Sequence, residues 1–409
     1  MDSNSTESNF TFIYHSENLD LTMKLILSQH IIKVSEKINA VVSFILSLVG
    51  LCGNFIVILM FLQKKFRSNP SHILLLCSAV NDSFYLMVHL VEDILKTFIN
   101  AYSLEHNQFL NALNFIDKSY LACTLFIYLR SMLRFNSAFI VIAFTLQRLY
   151  VVYRPLSLKW KTKRIAWKSV GFILSVSLIL NLWVPFFVEL HNNEICEIEE
   201  EKRGRYFLLS SAYVCLIVVI PSIIICVSNG LIISKTVKKN MRRFKLTQSS
   251  LANLTSETRA VTKRQQPRKV QVNGRNQTDS RQETLGLTNL IARPHYWTTE
   301  QLLKKNLELN RKNSSKKITK NLLLVSFSFV LLNFPYLISW VLFYYECLTE
   351  PNETILQNYL FTGMQLTEIL FVFNYGIKFF ILWFTGTLFR NMFKNISNLL
   401  YSQLINKYL

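Results

Sequence analysis

Charged residues are scarce in this chain. Asp, Glu, Lys and Arg make up only 17% of its 409 residues, while 51% of the residues are hydrophobic. Soluble domains average about 25% charged residues, so the shortage argues against a soluble fold. The hydrophobic residues lie in blocks of about 20–28, the length that crosses a hydrocarbon core about 30 Å thick. The composition therefore predicts an integral membrane protein.

Sequence signatures of enzymes are also missing. The chain has no HExxH motif, no P-loop, no GxSxG motif and no cysteines at zinc-binding spacing, and its seven histidines are scattered. We therefore expect no enzymatic activity, no metal site and no cofactor.

Seven apolar blocks are long and continuous, unlike the short alternating strands of a membrane β-barrel. Backbone groups in lipid must hydrogen-bond within their own segment, so each block is predicted to be a helix. The predicted helices span 38–62, 72–97, 120–153, 167–188, 207–235, 320–345 and 357–384. The expected fold class is an all-α membrane protein: a seven-transmembrane-helix bundle with a C-terminal amphipathic surface helix and short tail within 385–409.

Lysine and arginine cluster after the first, third and fifth predicted helices, in QKKFRS, RPLSLKWKTKR and KTVKKNMRRFK. Positively charged loops stay in the cytoplasm, which places the N-terminal segment 1–37 outside. Asn4 and Asn9 head glycosylation sequons there. Cys123 and Cys196 fall on the same oxidising side and are predicted to form a disulfide bond, with Cys347 left over.

The formal net charge of +20 has a topological explanation. Most of it lies in the third cytoplasmic loop, about 238–317, where attraction to anionic membrane lipid accounts for basic residues without nucleic-acid binding. This loop has too few apolar residues to offset the entropy of ordering, so we predict that most of it is disordered. Its two ends are predicted to extend the neighbouring helices.

Short motifs recur in order along the predicted helices. They are GNFIV at 53–57, SAVND at 78–82, Arg148 at 25 residues after Cys123, Pro155 seven residues later, Pro221, Pro335 and the Phe389-Arg390 pair. Together they resemble the rhodopsin-like G-protein-coupled receptors over roughly 38–400. Within that family, the stretch from Asn374 to Gly386 is similar to invertebrate neuropeptide receptors, including those for FMRFamide-like peptides.

The resemblance implies a multi-pass receptor of the plasma membrane that binds an extracellular peptide ligand and activates a heterotrimeric G protein. Arrestin and a receptor kinase are further partners in such receptors. Two other functions stay open: a chemosensory receptor for a small molecule and a membrane transporter. Ten glycines and no internal repeat argue against a transporter.

Charged side chains within helices are costly in lipid and tend to face the bundle interior. Arg130 and Arg134 lie one turn apart on one helix face. The resemblance places that face in the ligand pocket, together with Glu92, Asp93, Tyr336, Trp340 and Glu368. Two compatible interpretations follow: the charges receive ligand groups, or they pair with one another and brace the bundle.

A coupling role falls to Arg148 by the same resemblance. The family has an acid beside this arginine, but this chain has Gln147, which predicts a weaker resting-state contact. The family also holds a sodium ion between a helix-two acid and a helix-seven asparagine. Here the acid is Asp82, but the asparagine position holds Lys378, which is predicted to take the place of sodium.

The sixth predicted helix keeps only part of the family's activation motif. Phe329 and Pro335 match, and Pro335 should kink the helix so that its inner end can swing. Asn333 stands where the family has a tryptophan.

Overall fold

The computed structural model describes residues 4–63, 70–94, 119–154, 162–191, 195–198, 200–264, 299–350 and 354–386, with 389–391, 393–394, 398 and 402 beyond them. The side chains of several stretches inside these ranges are not described, among them 4–19, 93–94, 190–200, 250–264 and 299–322.

Seven helices in the described part of the chain are long and apolar enough to cross a membrane. They are α1 (Asn4–Leu62), α2 (Pro70–His89, continued by a π-helical turn, Leu90–Ile94), α3 (Tyr120–Tyr153), α4 (Lys163–Leu180), α5 (Arg203–Val214, a π-helical turn, Cys215–Val219, and Ile220–Arg264), α6 (Thr299–Thr349) and α7 (Thr354–Thr385). Short 3₁₀ turns, Val184–Phe186 and Glu200–Lys202, flank a hairpin of β1 (Val188–His191) and β2 (Ile195–Ile198). The predicted seven-helix membrane bundle is confirmed.

Helix boundaries agree with the predicted spans to different degrees. α3 has the predicted bounds. The α-helical part of α4 ends at Leu180, but the candidate membrane span runs from Lys163 through the 3₁₀ turn that contains Pro185 to Phe186, close to the predicted end at 188. α1 begins at Asn4, far ahead of the predicted 38.

Both ends of the loop 238–317 extend the neighbouring helices, as predicted. Helix α5 continues to Arg264 and α6 begins at Thr299, so the helical part after α5 is longer than the predicted extension. Scarcity of apolar residues prevents a packed core, but Lys, Arg and Gln have good helix propensity. Residues 265–298 lie outside the described part. The chain divides into two units, Met1–Ile232 with Ile318–Leu409, and Ile233–Lys317.

Helices α1 and α7 run along each other at unusually close range. A Cβ atom on Gly376 would lie 2.9 Å from the Cα of Gly50, so only glycine fits at this crossing. Asn54 Nδ2 donates to the carbonyl oxygen of Tyr375 at 2.9 Å. Further along, Ser35 Oγ donates to Gln365 Oε1 at 2.6 Å. These contacts fix α7, the helix that carries Glu368 and Lys378.

The β-hairpin lies against the start of α3. Cys123 is fully buried in a cluster with Val184 and Val188, and it is disulfide-bonded. Leu190 and Cys196 are paired across the two strands. The side chain of Cys196 is outside the described set, so its bond to Cys123 stays a prediction.

Residues after α7 contact the end of that helix. Phe389 is buried and meets the ring of Phe379 at a centroid distance of 6.1 Å. Arg390 Nη1 donates to the carbonyl oxygens of Trp383 and Phe384 at 3.0 and 2.9 Å, which satisfies acceptors at a helix C-terminus. The surface helix itself stays a prediction.

Candidate functional site

Two ion pairs join α3 to its neighbours in the half of the bundle that contains the N-terminal end of α3. Arg130 Nη2 lies 3.2 Å from Glu92 Oε1, and Arg134 Nη2 lies 3.9 Å from Glu368 Oε1. The Glu92 side chain is 8% exposed, whereas that of Glu368 is 22% exposed. Because Arg130 and Arg134 are one helical turn apart, one face of α3 reaches both the π-helical turn after α2 and α7. The internal pairing anticipated for these charges is therefore present.

Besides Glu368, a tyrosine hydroxyl and two aromatic rings contact Arg134. The hydroxyl of Tyr85 accepts from Arg134 Nε at 3.4 Å and from Nη2 at 3.3 Å. The guanidinium carbon also lies 5.7 Å from the centre of the Tyr85 ring and 5.0 Å from that of Phe371, within range of cation–π attraction. Tyr85 in turn stacks on Tyr375 at 3.8 Å. Arg134 thus keeps partners even where Glu368 is withdrawn.

The aromatic residues expected in the pocket lie in two groups. Tyr336 packs on Phe371 at 5.0 Å and so belongs with Arg134. Trp340 stacks on Tyr344 at 5.2 Å, and Tyr344 meets Phe207 of α5 at 5.1 Å. The side chain of Asp93 is outside the described part of the structure.

Sequence reasoning missed Tyr85 and Phe371, which hold Arg134. Helical spacing was the available signal, because Phe371 is three residues after Glu368 and Tyr85 is seven before Glu92, close to two full turns.

A second buried cluster lies deeper in the bundle, where Lys378 Nζ contacts both Asp82 Oδ2 and Ser78 Oγ. Ser137 Oγ donates to the other oxygen, Asp82 Oδ1, at 2.9 Å. Asp82 is 0% and Lys378 4% exposed, and the predicted direct pair is present. These residues do not fit the sodium ion that the resemblance implies, because an ammonium group already faces the carboxylate.

Arg148 lies near the C-terminal end of α3, and it is only 6% exposed. Its Nε and Nη2 atoms have no hydrogen-bond partner among the described residues. It faces a small cavity that is lined by Phe144, Thr145, Arg148, Asn229, Ile232, Leu323 and Ser326. Across this cavity, Asn229 Nδ2 of α5 donates to Ser326 Oγ of α6 at 2.9 Å.

The neighbour of Arg148 is held by another helix. Gln147 Oε1 accepts a hydrogen bond from Ser71 Oγ of α2 at 3.1 Å, and Gln147 is 4% exposed. A glutamine carries no charge with which to neutralise the guanidinium beside it. The resting position of Arg148 therefore lacks the acidic neighbour that the family pattern supplies.

In α6, the activation residues occupy one continuous stretch of helix. Phe329 is buried in the main core, and Asn333 Nδ2 donates to the carbonyl oxygen of Phe329 at 2.5 Å. Pro335 lies inside the helix and has no N–H for the carbonyl of Leu331. The helix therefore lacks one backbone hydrogen bond next to Tyr336, which packs on Phe371 of α7.

Comparison with known proteins agrees with this architecture. The family model described as 7 transmembrane receptor (rhodopsin family) matches residues 53–376, well over half of the chain. A search of curated proteins found no match. Receptors of this family are multi-pass membrane proteins that respond to an extracellular ligand and signal through G proteins, which removes the transporter alternative. The seven helices and this match show that the chain belongs to the rhodopsin family of seven-transmembrane receptors.

Proposed function

We propose that this receptor is activated by an extracellular peptide that binds among α2, α3, α6 and α7. The observation that carries the proposal is the joint presence of two arginines, two glutamates and facing aromatic rings in one part of the bundle. Each charge is expensive to hold within a membrane, so its retention suits a ligand that is itself charged and polar. The likeness of 374–386 to invertebrate neuropeptide receptors supports a neuropeptide.

Of the two glutamates, Glu368 is the one that a ligand can bind with the smaller loss of internal contacts. Its contact with Arg134 is the longer of the two ion pairs, and its side chain is the more exposed of the two glutamates. When Glu368 turns to a basic group of the ligand, Arg134 keeps the Tyr85 hydroxyl and the two aromatic rings. Glu92 stays with Arg130 and anchors the floor of the site. Asp93 is assigned to the same site.

The signal passes from α7 to α6 through packed aromatic rings. Phe371 lies one turn after Glu368 and meets Tyr336 of α6, immediately after Pro335. A ligand that binds one arrangement of these rings better shifts the population towards it. We propose that α6 then swings at Pro335, the Asn229–Ser326 hydrogen bond breaks, and the cavity at Arg148 opens to a G protein.

The remaining features belong to the same proposal. The N-terminus is outside the plasma membrane and carries glycans on Asn4 and Asn9. A bond between Cys123 and Cys196 pins the hairpin at the outer end of α3. Segment 385–409 lies as an amphipathic helix on the inner lipid surface, and arrestin and a receptor kinase act on the active receptor.

A response assay on cells that express the full chain tests the proposal. Second-messenger output is measured against a library of synthetic peptides, with surface expression measured in parallel. We expect a peptide to activate the wild type, and the Glu368→Gln and Arg134→Gln variants to need at least tenfold more of it. The matched control is Glu189→Gln, which changes an exposed glutamate in β1.

Two results would contradict the proposal. Activation by small organic molecules and by no peptide would make this a chemosensory receptor. Equal peptide potency in Glu368→Gln and Glu189→Gln would place the binding site elsewhere.

A further inference from the structure

A buried positive charge ties three helices together near the centre of the bundle. Lys378 of α7 contacts Asp82 and Ser78 of α2, and Ser137 of α3 donates to Asp82 at 2.9 Å. Both oxygens of the Asp82 carboxylate therefore have partners. Asn81 adds a link beside them, because its Nδ2 donates to the carbonyl oxygen of Leu133 in α3 at 2.9 Å.

Burial makes an unpaired carboxylate unfavourable at this position. Asp82 is 0% exposed, and an ion removed from water needs an opposite charge and hydrogen-bond donors close to it. A second cation beside Lys378 would be repelled, because like charges a few ångströms apart interact strongly in a medium of low dielectric constant. The carboxylate thus has room, electrostatically, for one cation, and the chain supplies it.

A tethered ammonium differs from a bound ion in one physical respect. Occupancy by a free ion depends on its concentration and adds stability that grows with the ratio of concentration to dissociation constant. Lys378 is covalently part of α7, so its occupancy does not depend on salt composition. Because Lys378 is 4% exposed, its departure from Asp82 requires a change in the packing around it.

We infer that Lys378 is a built-in cation that replaces a dissociable sodium ion, which makes the stability of this receptor independent of sodium. The α2–α7 contact then acts as a mechanical tie that opens only with a change of helix packing. This inference does not rest on the peptide ligand proposed above, because it concerns the receptor without any ligand.

Thermal unfolding of the purified full-length receptor tests the inference without a ligand. The midpoint is measured in about 0.15 M sodium chloride and in choline chloride of equal ionic strength, so that charge screening is matched. We expect equal midpoints for the wild type. For Lys378→Asn we expect sodium to raise the midpoint by roughly 2 °C or more, because Asp82 and an amide oxygen then offer hard ligands to a cation.

Further variants separate the cation site from general salt effects. Asp82→Asn combined with Lys378→Asn removes the carboxylate and should abolish the sodium response. A wild-type midpoint that rises in sodium as much as that of Lys378→Asn would overturn the inference, and this measurement needs no variant to fold. A folded Lys378→Asn protein without any sodium response would overturn it as well.

Discussion

Removal of one glutamate from each outer ion pair should destabilise the receptor by different amounts. In Glu92→Gln, Arg130 Nη2 loses the carboxylate oxygen that lies 3.2 Å from it. The Glu92 side chain is only 8% exposed, so this ion pair is largely buried. Loss of one partner from a buried pair costs about 3–5 kcal/mol, because the other charge stays in the low-dielectric interior. Because Arg130 is partly exposed, we expect Glu92→Gln to lower the free energy of unfolding by about 3 kcal/mol, near the lower end of this range.

In Glu368→Gln the corresponding loss is smaller. The pair is longer, at 3.9 Å, and both side chains are about one fifth exposed. Arg134 keeps the Tyr85 hydroxyl and the faces of Tyr85 and Phe371, and cation–π contacts contribute about 0.5–2 kcal/mol each. We therefore expect a cost of about 1 kcal/mol, close to that of an exposed pair.

The assay is thermal unfolding of the purified receptor in one detergent at one scan rate, since unfolding of large membrane proteins is commonly irreversible. The entropy of unfolding is about 2.1 cal/mol/K per residue, so a chain of 409 residues shifts its midpoint by about 1 °C per kcal/mol. The difference of about 2 kcal/mol therefore predicts that Glu92→Gln unfolds about 2 °C below Glu368→Gln. Glu189→Gln, at an exposed position, should match the wild type.

A double variant sharpens the test. Glu92→Gln with Arg130→Gln removes both charges, so it should recover part of the loss seen in Glu92→Gln alone. Equal midpoints for Glu92→Gln and Glu368→Gln, or the reverse order, would refute the argument that the rings support Arg134. A Glu368→Gln variant that folds well but responds poorly to peptide would separate binding from folding.

Two more predictions concern the inner end of α3 and the α1–α7 crossing. Gln147→Asp places a carboxylate beside the buried Arg148 and should lower basal signalling; unchanged basal output at normal expression would show that another contact holds the resting state. Gly376→Ala introduces a Cβ atom 2.9 Å from the Cα of Gly50, so overpacking of about 1–3 kcal/mol should reduce surface expression strongly. Gly171→Ala, with nothing within 4 Å of the new atom, is the matched control, and equal expression of the two variants would contradict the close crossing.

The sequence predicts a feature well when residues close together in the chain determine it. α3 has its predicted bounds because hydropathy and the following cytoplasmic charges change at the same place. The fourth candidate span ends at Phe186, close to the predicted 188, but hydropathy did not show that its last residues form a 3₁₀ turn at Pro185 rather than an α-helix. The helical ends of 238–317 were only partly expected, because a composition argument speaks to packing rather than to local helix propensity.

In the candidate site, the sequence identified most of the charged residues but not the contacts between them. Arg130, Arg134, Glu92 and Glu368 could be named from their cost in lipid, and the Lys378–Asp82 pair from the resemblance. Which arginine pairs with which glutamate could not be read from the sequence, because α2, α3 and α7 meet only after folding. Tyr85 and Phe371 were overlooked because their helical spacing places them on the same faces as Glu92 and Glu368 but does not show that they reach Arg134.

The sequence by itself determined that this chain crosses a membrane seven times and carries costly charges inside its helices. Both follow from the free energy of transfer into lipid, which each segment has on its own. Only the tertiary structure decided that Glu368 is the loosely held acid, that Arg134 rests on aromatic rings, and that Arg148 faces a cavity between α5 and α6. Those properties depend on distances between helices, because a difference of a few ångströms changes the strength of a buried charge contact.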